Sequence, residues 1–141
     1  MNLTAMSLPV PDIPTKAALA EIYRAYIACL NRQDWHNLGN FVSHQAIHNG
    51  KILGLSGYLQ MLVNDFATIP DLSFNIQILA VDPPYVTSRL WFHCAPKAMF
   101  LGLPINGRKI SFAENVIYKF REGKIIEVWS VLDKTVIEAQ L

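Results

Sequence analysis

The sequence is short of charge. Charged residues make up 16% of its 141 residues, while hydrophobic residues make up 52%; typical soluble domains are about 25% charged. The 12 basic and 11 acidic residues are spread along the chain without a basic run, so nucleic acid is not an expected partner. The apolar surplus is expected to fill a large core, an apolar cavity or a subunit interface.

Cysteine, long apolar runs and cofactor motifs are equally scarce. Cys29 and Cys94 lack C-x-x-C spacing, which predicts reduced core thiols in a cytoplasmic protein. No apolar run approaches the ~18 residues that cross a membrane, and no basic residue precedes Lys16, so neither a membrane span nor a signal peptide is expected. The chain contains no Gly-rich phosphate loop, haem motif or metal-ligand cluster, and the sequence therefore implies no cofactor and no metal.

Prolines and apolar spacing divide the chain. Three prolines in residues 1–14 predict an extended N-terminal arm, and residues 15–141 predict one domain. Apolar residues at helical spacing predict a long helix from Thr15, a short helix over 35–42, and a third helix that starts at Ser56 and ends before Pro70. The apolar stripe of the third helix is predicted as Leu55, Leu59, Leu62, Phe66 and Ile69.

After Pro70 the apolar pattern changes from helical to alternating. Strands are predicted over 74–81, 86–94, 108–120 and 124–132, with an extended piece and a turn between the second and third helices. Helices followed by strands favour an α+β domain, with the helices packed on one face of a strongly bent antiparallel sheet that forms a cone. Such a cone, lined by apolar rows with a few polar residues, is suited to a small hydrophobic ligand.

The third predicted strand carries a carboxylate in an apolar row. Glu114 shares its face with Ile110, Phe112, Val116, Tyr118 and Phe120. A carboxylate in such a row is either bound in an ion pair with Arg89 or Arg108, or has a raised pKa and serves as a general acid or base. Tyr118, on the same face, is either a core aromatic or a phenol donor to a developing oxyanion.

Three polar or aromatic residues of the 86–94 strand, Arg89, Trp91 and His93, share one face. If that face lines the cone, Arg89 and His93 are candidate substrate-binding residues, because a guanidinium can hold a substrate oxygen or orient Glu114. If it is the outer face, the three belong to an interface between two copies of the chain.

Two stretches of the chain read F-L-G-L-P-I-N-G-R and F-A-E-N-V-I-Y-K-F-R-E-G-K-I-I-E-V-W-S-V-L-D. Both resemble the SnoaL-like polyketide (ester) cyclase family. The resemblance covers most of residues 15–141. It implies the nuclear transport factor 2-like fold, a cystatin-like α+β barrel with three N-terminal helices, and a cofactor-free enzyme that forms homodimers.

The resemblance also implies site residues. His48 lies near a polar cavity position of the family, and Asp133 ends the motif G-K-I-x-E-x-W-x-x-x-D, although strict alternation places Asp133 on the face opposite Ser130 unless a bulge shifts the strand. Ser130 occupies the position of the family's catalytic aspartate, where it can donate a hydrogen bond.

Together these features predict a cofactor-independent cyclase or isomerase for a polyketide- or terpenoid-derived metabolite. Glu114, Asp133 and His48 are the expected catalytic residues, and Arg89, Tyr118, Ser130 and His93 the expected substrate-binding residues. Two alternatives remain open at this level. One is a non-catalytic ligand-binding or scaffold module of the same fold; the other is a dehydratase or epoxide hydrolase, which would need an acid and an activated water.

Overall fold

The computed structural model describes residues 14–141, and the predicted arm lies outside that range except for Pro14. The elements, in chain order, are α1 (Lys16–Asn31), a 3₁₀ helix (Trp35–Asn40), β1 (Val42–His48), β2 (Lys51–Ile52), α2 (Gly54–Thr68), β3 (Asn75–Asp82), β4 (Tyr85–Cys94), β5 (Met99–Phe100), β6 (Leu103–Pro104), β7 (Ile110–Arg121), β8 (Lys124–Leu132) and α3 (Lys134–Glu138).

Six strands form one curled sheet in the order β2-β1-β8-β7-β4-β3, and β5 and β6 form a separate small hairpin. The predicted α+β class and the packing of helices on a curled sheet are confirmed. The prediction of a wholly antiparallel sheet is wrong in one place, because β1 runs parallel to β8. Alternation within β1 could not reveal this pairing, since strand direction depends on how the chain returns from a distant segment.

The helices differ from the prediction in number and bounds. The second N-terminal helix is a single 3₁₀ segment, and a short helix, α3, follows the last strand. Helix α2 begins at Gly54, two residues before the predicted start. Gly54 has φ +64° and lies so close to β1 that a Cβ atom would be 2.9 Å from the carbonyl oxygen of His44. Only glycine avoids both the strain and the clash there, so this residue fixes how α2 leaves β1.

The β7–β8 hairpin provides one wall of the interior. The apolar residues that flank Glu114 on β7 are all buried: Ile110, Phe112, Val116, Tyr118 and Phe120. A bulge in β8 lets Phe120 pair with Ile125 and Lys119 with Glu127. Ile125 therefore points inward with Val128, whereas strict alternation from Val128 would turn Ile126 inward. The bulge adds local twist, which helps the sheet curl around its contents.

Candidate active site

A cavity with two lobes lies between α2 and the inner face of the sheet. The inner lobe has a volume of about 170 Å³ and reaches the phenols of Tyr26 and Tyr118. The outer lobe, of about 70 Å³, is walled by four phenylalanines: Phe74, Phe92, Phe100 and Phe112. Asp65, Phe74, Glu114 and Leu132 line both lobes, so the two lobes meet at the two carboxyl groups.

Glu114 is placed in this cavity by the alternation of β7. Its Oε2 accepts a hydrogen bond from Ser130 Oγ, on the neighbouring strand β8. Burial raises the pKa of the Glu114 carboxyl, and the Ser130 hydroxyl opposes that rise because it stabilises the charged form. The predicted ion pair with Arg89 is absent, because Arg89 binds Gln77 and Asn115 in the described chain. Among residues 14–141 Glu114 therefore has no cationic partner, and its carboxyl group lies in an apolar site.

Two tyrosines, Tyr26 and Tyr118, line the inner lobe, and each contacts a further phenol behind it. Tyr26 Oη and Tyr58 Oη are 2.6 Å apart, and Tyr23 Oη donates to Tyr118 Oη at 3.4 Å. Burial raises the pKa of Tyr26 and Tyr118 well above the usual range, so both stay neutral. Because Tyr118 accepts from Tyr23, its own proton is free to be donated to a ligand oxygen.

His48 also reaches the inner lobe, as its predicted role requires. It is the last residue of β1, and its ring meets the ring of Tyr58 edge-on with 6.3 Å between centroids. Burial lowers the pKa of the His48 imidazole. A neutral imidazole can accept or relay a proton near Glu114 without placing a fixed positive charge in the cavity.

Asn49 holds the strand that carries Ser130. Its Nδ2 donates to the backbone oxygen of Ser130 at 3.1 Å, and its Oδ1 accepts from the backbone nitrogen of Ser130 at 2.8 Å. Asn49 has φ 47°, a conformation that asparagine tolerates better than most residues. This bidentate contact joins the end of β1 to β8 and sets the position of the hydroxyl that binds Glu114.

Asn49→Ala is expected to lower the free energy of unfolding by about 1–2 kcal/mol more than Asn106→Ala, because it removes two hydrogen bonds worth roughly 0.5–1.5 kcal/mol each. Asn106 is a matched control: it has φ 51°, and within residues 14–141 its side chain makes no hydrogen bond. Urea unfolding of both variants measures the difference. Equal losses would show that the bidentate contact does not stabilise the fold.

Asp133 does not join the cavity group. It follows β8 and caps α3, with its Oδ1 accepting from the backbone nitrogen of Val136 at 3.2 Å. The bulge that could have turned it inward lies at the other end of β8, at Ile126. We therefore assign Asp133 a helix-capping contact and leave it out of the candidate site.

Arg89 and His93 lie on the outer face of the sheet. Their neighbours on β4, Ser88, Leu90, Phe92 and Cys94, are the buried ones. Arg89 Nε donates to Gln77 at 2.7 Å and Nη1 to Asn115 at 3.1 Å, while His93 Nδ1 is 2.7 Å from Ser111 Oγ. This placement corrects the prediction that they bind substrate in the cone, because a β-strand directs alternate side chains to opposite faces.

Sequence reasoning overlooked Asp65. The predicted stripe of α2 passed through Leu62 and Phe66, but the fully buried side chains of α2 are Tyr58 and Leu62, and Asp65 follows them at helical spacing. Burial, with a smaller contribution from the charge of Glu114, raises the pKa of Asp65 to about 7. Asp65 could have been found from helical spacing, because a stripe through Tyr58, Leu62, Asp65 and Ile69 puts a carboxylate among apolar residues.

Within residues 14–141, no three His, Cys, Asp or Glu side chains are grouped so that they could hold a metal ion. Across the same range, no helix is both long and apolar enough to cross a membrane.

Comparisons with known proteins identify the family. The family model for SnoaL-like polyketide cyclases matches residues 20–141. A SnoaL-like polyketide cyclase from Agrobacterium tumefaciens is 52% identical, with a TM-score of 0.86 over 86% of this chain and 96% of that one. TsrD from Streptomyces laurentii is 21% identical, with a TM-score of 0.78 over 90% of this chain and 96% of its own.

IdmH from Streptomyces antibioticus is 19% identical, with a TM-score of 0.74 over 86% of this chain and 96% of its own. At this level of identity TsrD and IdmH support the fold alone. No curated protein matches the chain. The family model and the 52% identical relative show that the chain belongs to the SnoaL-like polyketide cyclase family.

Proposed function

We propose that this protein is a cofactor-independent cyclase or isomerase that moves a proton within a neutral, apolar metabolite of polyketide or terpenoid type. The observation that carries the proposal is Glu114, a carboxyl group in an apolar cavity, without a cationic partner in the described chain and with a raised pKa. A carboxyl group whose pKa is raised toward neutrality can both take and give a proton at cellular pH.

The cavity supports a compact substrate. Its inner lobe, at about 170 Å³, is close to the roughly 150 Å³ engineered cavity that binds benzene, so it accommodates one six-membered ring. The four phenylalanines of the outer lobe can hold an apolar remainder. An anionic substrate is disfavoured, because the side chains that line the two lobes include two carboxyl groups and, among the described residues, neither Lys nor Arg.

Catalysis would come from confinement and proton transfer. The apolar walls exclude water and hold a reactive conformer, which accelerates an intramolecular step. Glu114 is the proposed acid/base group, oriented by Ser130 Oγ. Tyr118 is the proposed donor to the substrate oxygen, and His48 a proton relay at the inner end.

The test is a thermal-shift screen of the purified protein against polyketide and terpenoid intermediates, followed by incubation of each hit without added cofactor and mass analysis of the product. A product of unchanged mass supports cyclisation or isomerisation. A product that differs by one water supports the hydratase, dehydratase or epoxide-opening alternative. A tight binder recovered unchanged supports a ligand carrier, an alternative favoured by Ser130 at the position of the family's aspartate.

We also propose a homodimer that buries the outer face of the sheet. Large apolar side chains are exposed there, with Ile117 at 44%, Trp129 at 39% and Val131 at 68%. The Arg89 guanidinium on this face already donates hydrogen bonds to Gln77 and Asn115, so a second copy could cover it without leaving those donors unsatisfied. Self-pairing of one patch is the usual geometry of a two-fold dimer.

We propose that the protein is cytoplasmic, because its two cysteines, Cys29 and Cys94, are buried free thiols.

Sedimentation velocity is expected to give the mass of a dimer for the wild-type protein at micromolar concentration. Val131→Asp should shift it to the monomer, because the substitution places a charge in the apolar patch, whereas Val63→Asp, on the exposed side of α2, should leave the dimer intact. A monomer mass for the wild type across this range would contradict the proposal.

A further inference from the structure

Asp65 and Glu114 face one cavity from opposite walls. Asp65 projects from α2 and Glu114 from β7, and both line the inner and the outer lobe. A ligand that spans the junction of the lobes would therefore contact both carboxyl groups. Asp133, the other carboxylate expected among the catalytic residues, caps α3 instead.

The two carboxyl groups cannot both carry a charge at low cost. The titratable side chains that line the lobes with them are His48, Tyr26 and Tyr118, and among the described residues no Lys or Arg lines either lobe. Two like charges in a low-dielectric site repel strongly, so one group retains a proton. Burial, together with the charge of Glu114, accordingly raises the pKa of Asp65 to about 7.

The surroundings of the two groups differ. Glu114 Oε2 accepts from the Ser130 hydroxyl, which stabilises a carboxylate. The Asp65 carboxyl receives no such bond from the part of the chain that the structure describes. Asp65 also borders a surface groove with Lys51 and Gln60, through which its proton can be exchanged with solvent. The asymmetry assigns the charge to Glu114 and the proton to Asp65.

We propose that Asp65 and Glu114 are an acid–base pair holding one proton, with Glu114 as the base and Asp65 as the acid, and that their substrate is a neutral ketone with a hydrogen on the carbon next to the carbonyl. This inference rests on the proposed function and adds to it a second catalytic residue, Asp65.

The proton transfers balance within the site. The Glu114 carboxylate takes the proton from the carbon next to the carbonyl, and the electron pair of that C–H bond forms the carbon–carbon double bond of an enol. The π pair of the carbonyl takes the proton of Asp65 and becomes the O–H bond. Glu114 is then protonated and Asp65 ionised, so the net charge of the site is unchanged. The enol can next add to a carbonyl within the same molecule or be reprotonated at another carbon.

The first test uses the protein without ligand. Carboxyl-detected ¹³C NMR, with labelled Asp and Glu, follows both groups from pH 3 to 9 in the wild type and in Glu114→Gln. The midpoint of Asp65 is expected to fall by about one pH unit or more in the variant, because coupled sites shift each other by that amount. An Asp65 midpoint that does not change on removal of the Glu114 charge would overturn the pair.

The second test measures proton transfer with cyclohexanone, a neutral ketone of one six-membered ring, as the probe. In D₂O the wild type is expected to accelerate exchange of the hydrogens next to the carbonyl, and Asp65→Asn and Glu114→Gln should each reduce that rate by about 10²-fold or more. Asp82→Asn, an equivalent change at an exposed carboxylate, should retain it.

Two results would refute the assignment: a wild type that does not accelerate exchange, or an Asp65→Asn variant that exchanges at the wild-type rate while it remains folded. The wild type could instead exchange cyclohexanone hydrogens but convert no metabolite in the screen. That result would contradict the proposed metabolite class and would still support the acid–base pair.

Discussion

Glu114→Gln is expected to lower turnover of any metabolite that the wild type converts by about 10²–10⁴-fold, the usual contribution of a general acid or base. The amide is nearly isosteric with the carboxyl and can still accept from Ser130 Oγ, but it cannot take a proton. Because the variant places a neutral group in the apolar cavity instead of a charge, its thermal stability at pH 8 should equal or exceed that of the wild type.

The measurement is initial rate and ligand affinity for the wild type, Glu114→Gln and Glu127→Gln. Glu127 is a matched control, because it is a half-buried glutamate on β8 that pairs with Lys119 away from the cavity. Loss of rate with retained affinity in Glu114→Gln alone would identify a chemical role. Wild-type turnover in Glu114→Gln would disprove it.

Phe112→Ala is expected to reduce the free energy of unfolding by about 3–5 kcal/mol, the range for a buried phenylalanine. Phe112 is 1% exposed. Its ring stacks on the ring of Phe92 with 5.1 Å between centroids, and the centroid of the Phe100 ring lies 5.4 Å away. Its removal would leave Phe92 with Phe74 as its aromatic neighbour, would take from Phe100 the ring that it packs on, and would open the outer lobe.

Urea unfolding provides the comparison, with Val63→Ala as the control. Val63 lies on the exposed side of α2, outside the patch of the proposed dimer, and is 38% exposed, so its truncation should cost well under half as much. A loss below 1 kcal/mol for Phe112→Ala, with an unchanged dependence on denaturant, would mean that the phenylalanine cluster adjusts without cost.

The sequence was most informative where burial and alternation coincide. The row of β7 that contains Glu114 could be predicted because a two-residue period leaves little ambiguity about which side chains face inward. The same reasoning separated Arg89 and His93 from Leu90 and Phe92, but it could not say which face was inner. That choice depends on which side of the sheet the helices cover, a property of the whole fold.

Asp65 and Asp133 show two limits of local patterns. Helical periodicity is less restrictive than alternation: a stripe through Leu62 continues equally well to Phe66 or to Asp65, and only packing against the sheet selects between them. Asp133 ends the motif that carries the family resemblance, but its role as a cap depends on α3, a helix that was not predicted from the sequence and whose Val136 backbone nitrogen it binds.

The parallel pairing of β1 with β8 has a consequence for synthesis of the protein. Asn49 and Ser130, which join these strands, are 81 residues apart in the chain, and β8 lies between β1 and β7 in the sheet. Until residues 124–132 leave the ribosome, β1 and β7 have no common neighbour, and the wall that supports Glu114 is incomplete. Such long-range pairing slows folding, so the nascent chain is expected to acquire its cavity in one late step, when β8 inserts.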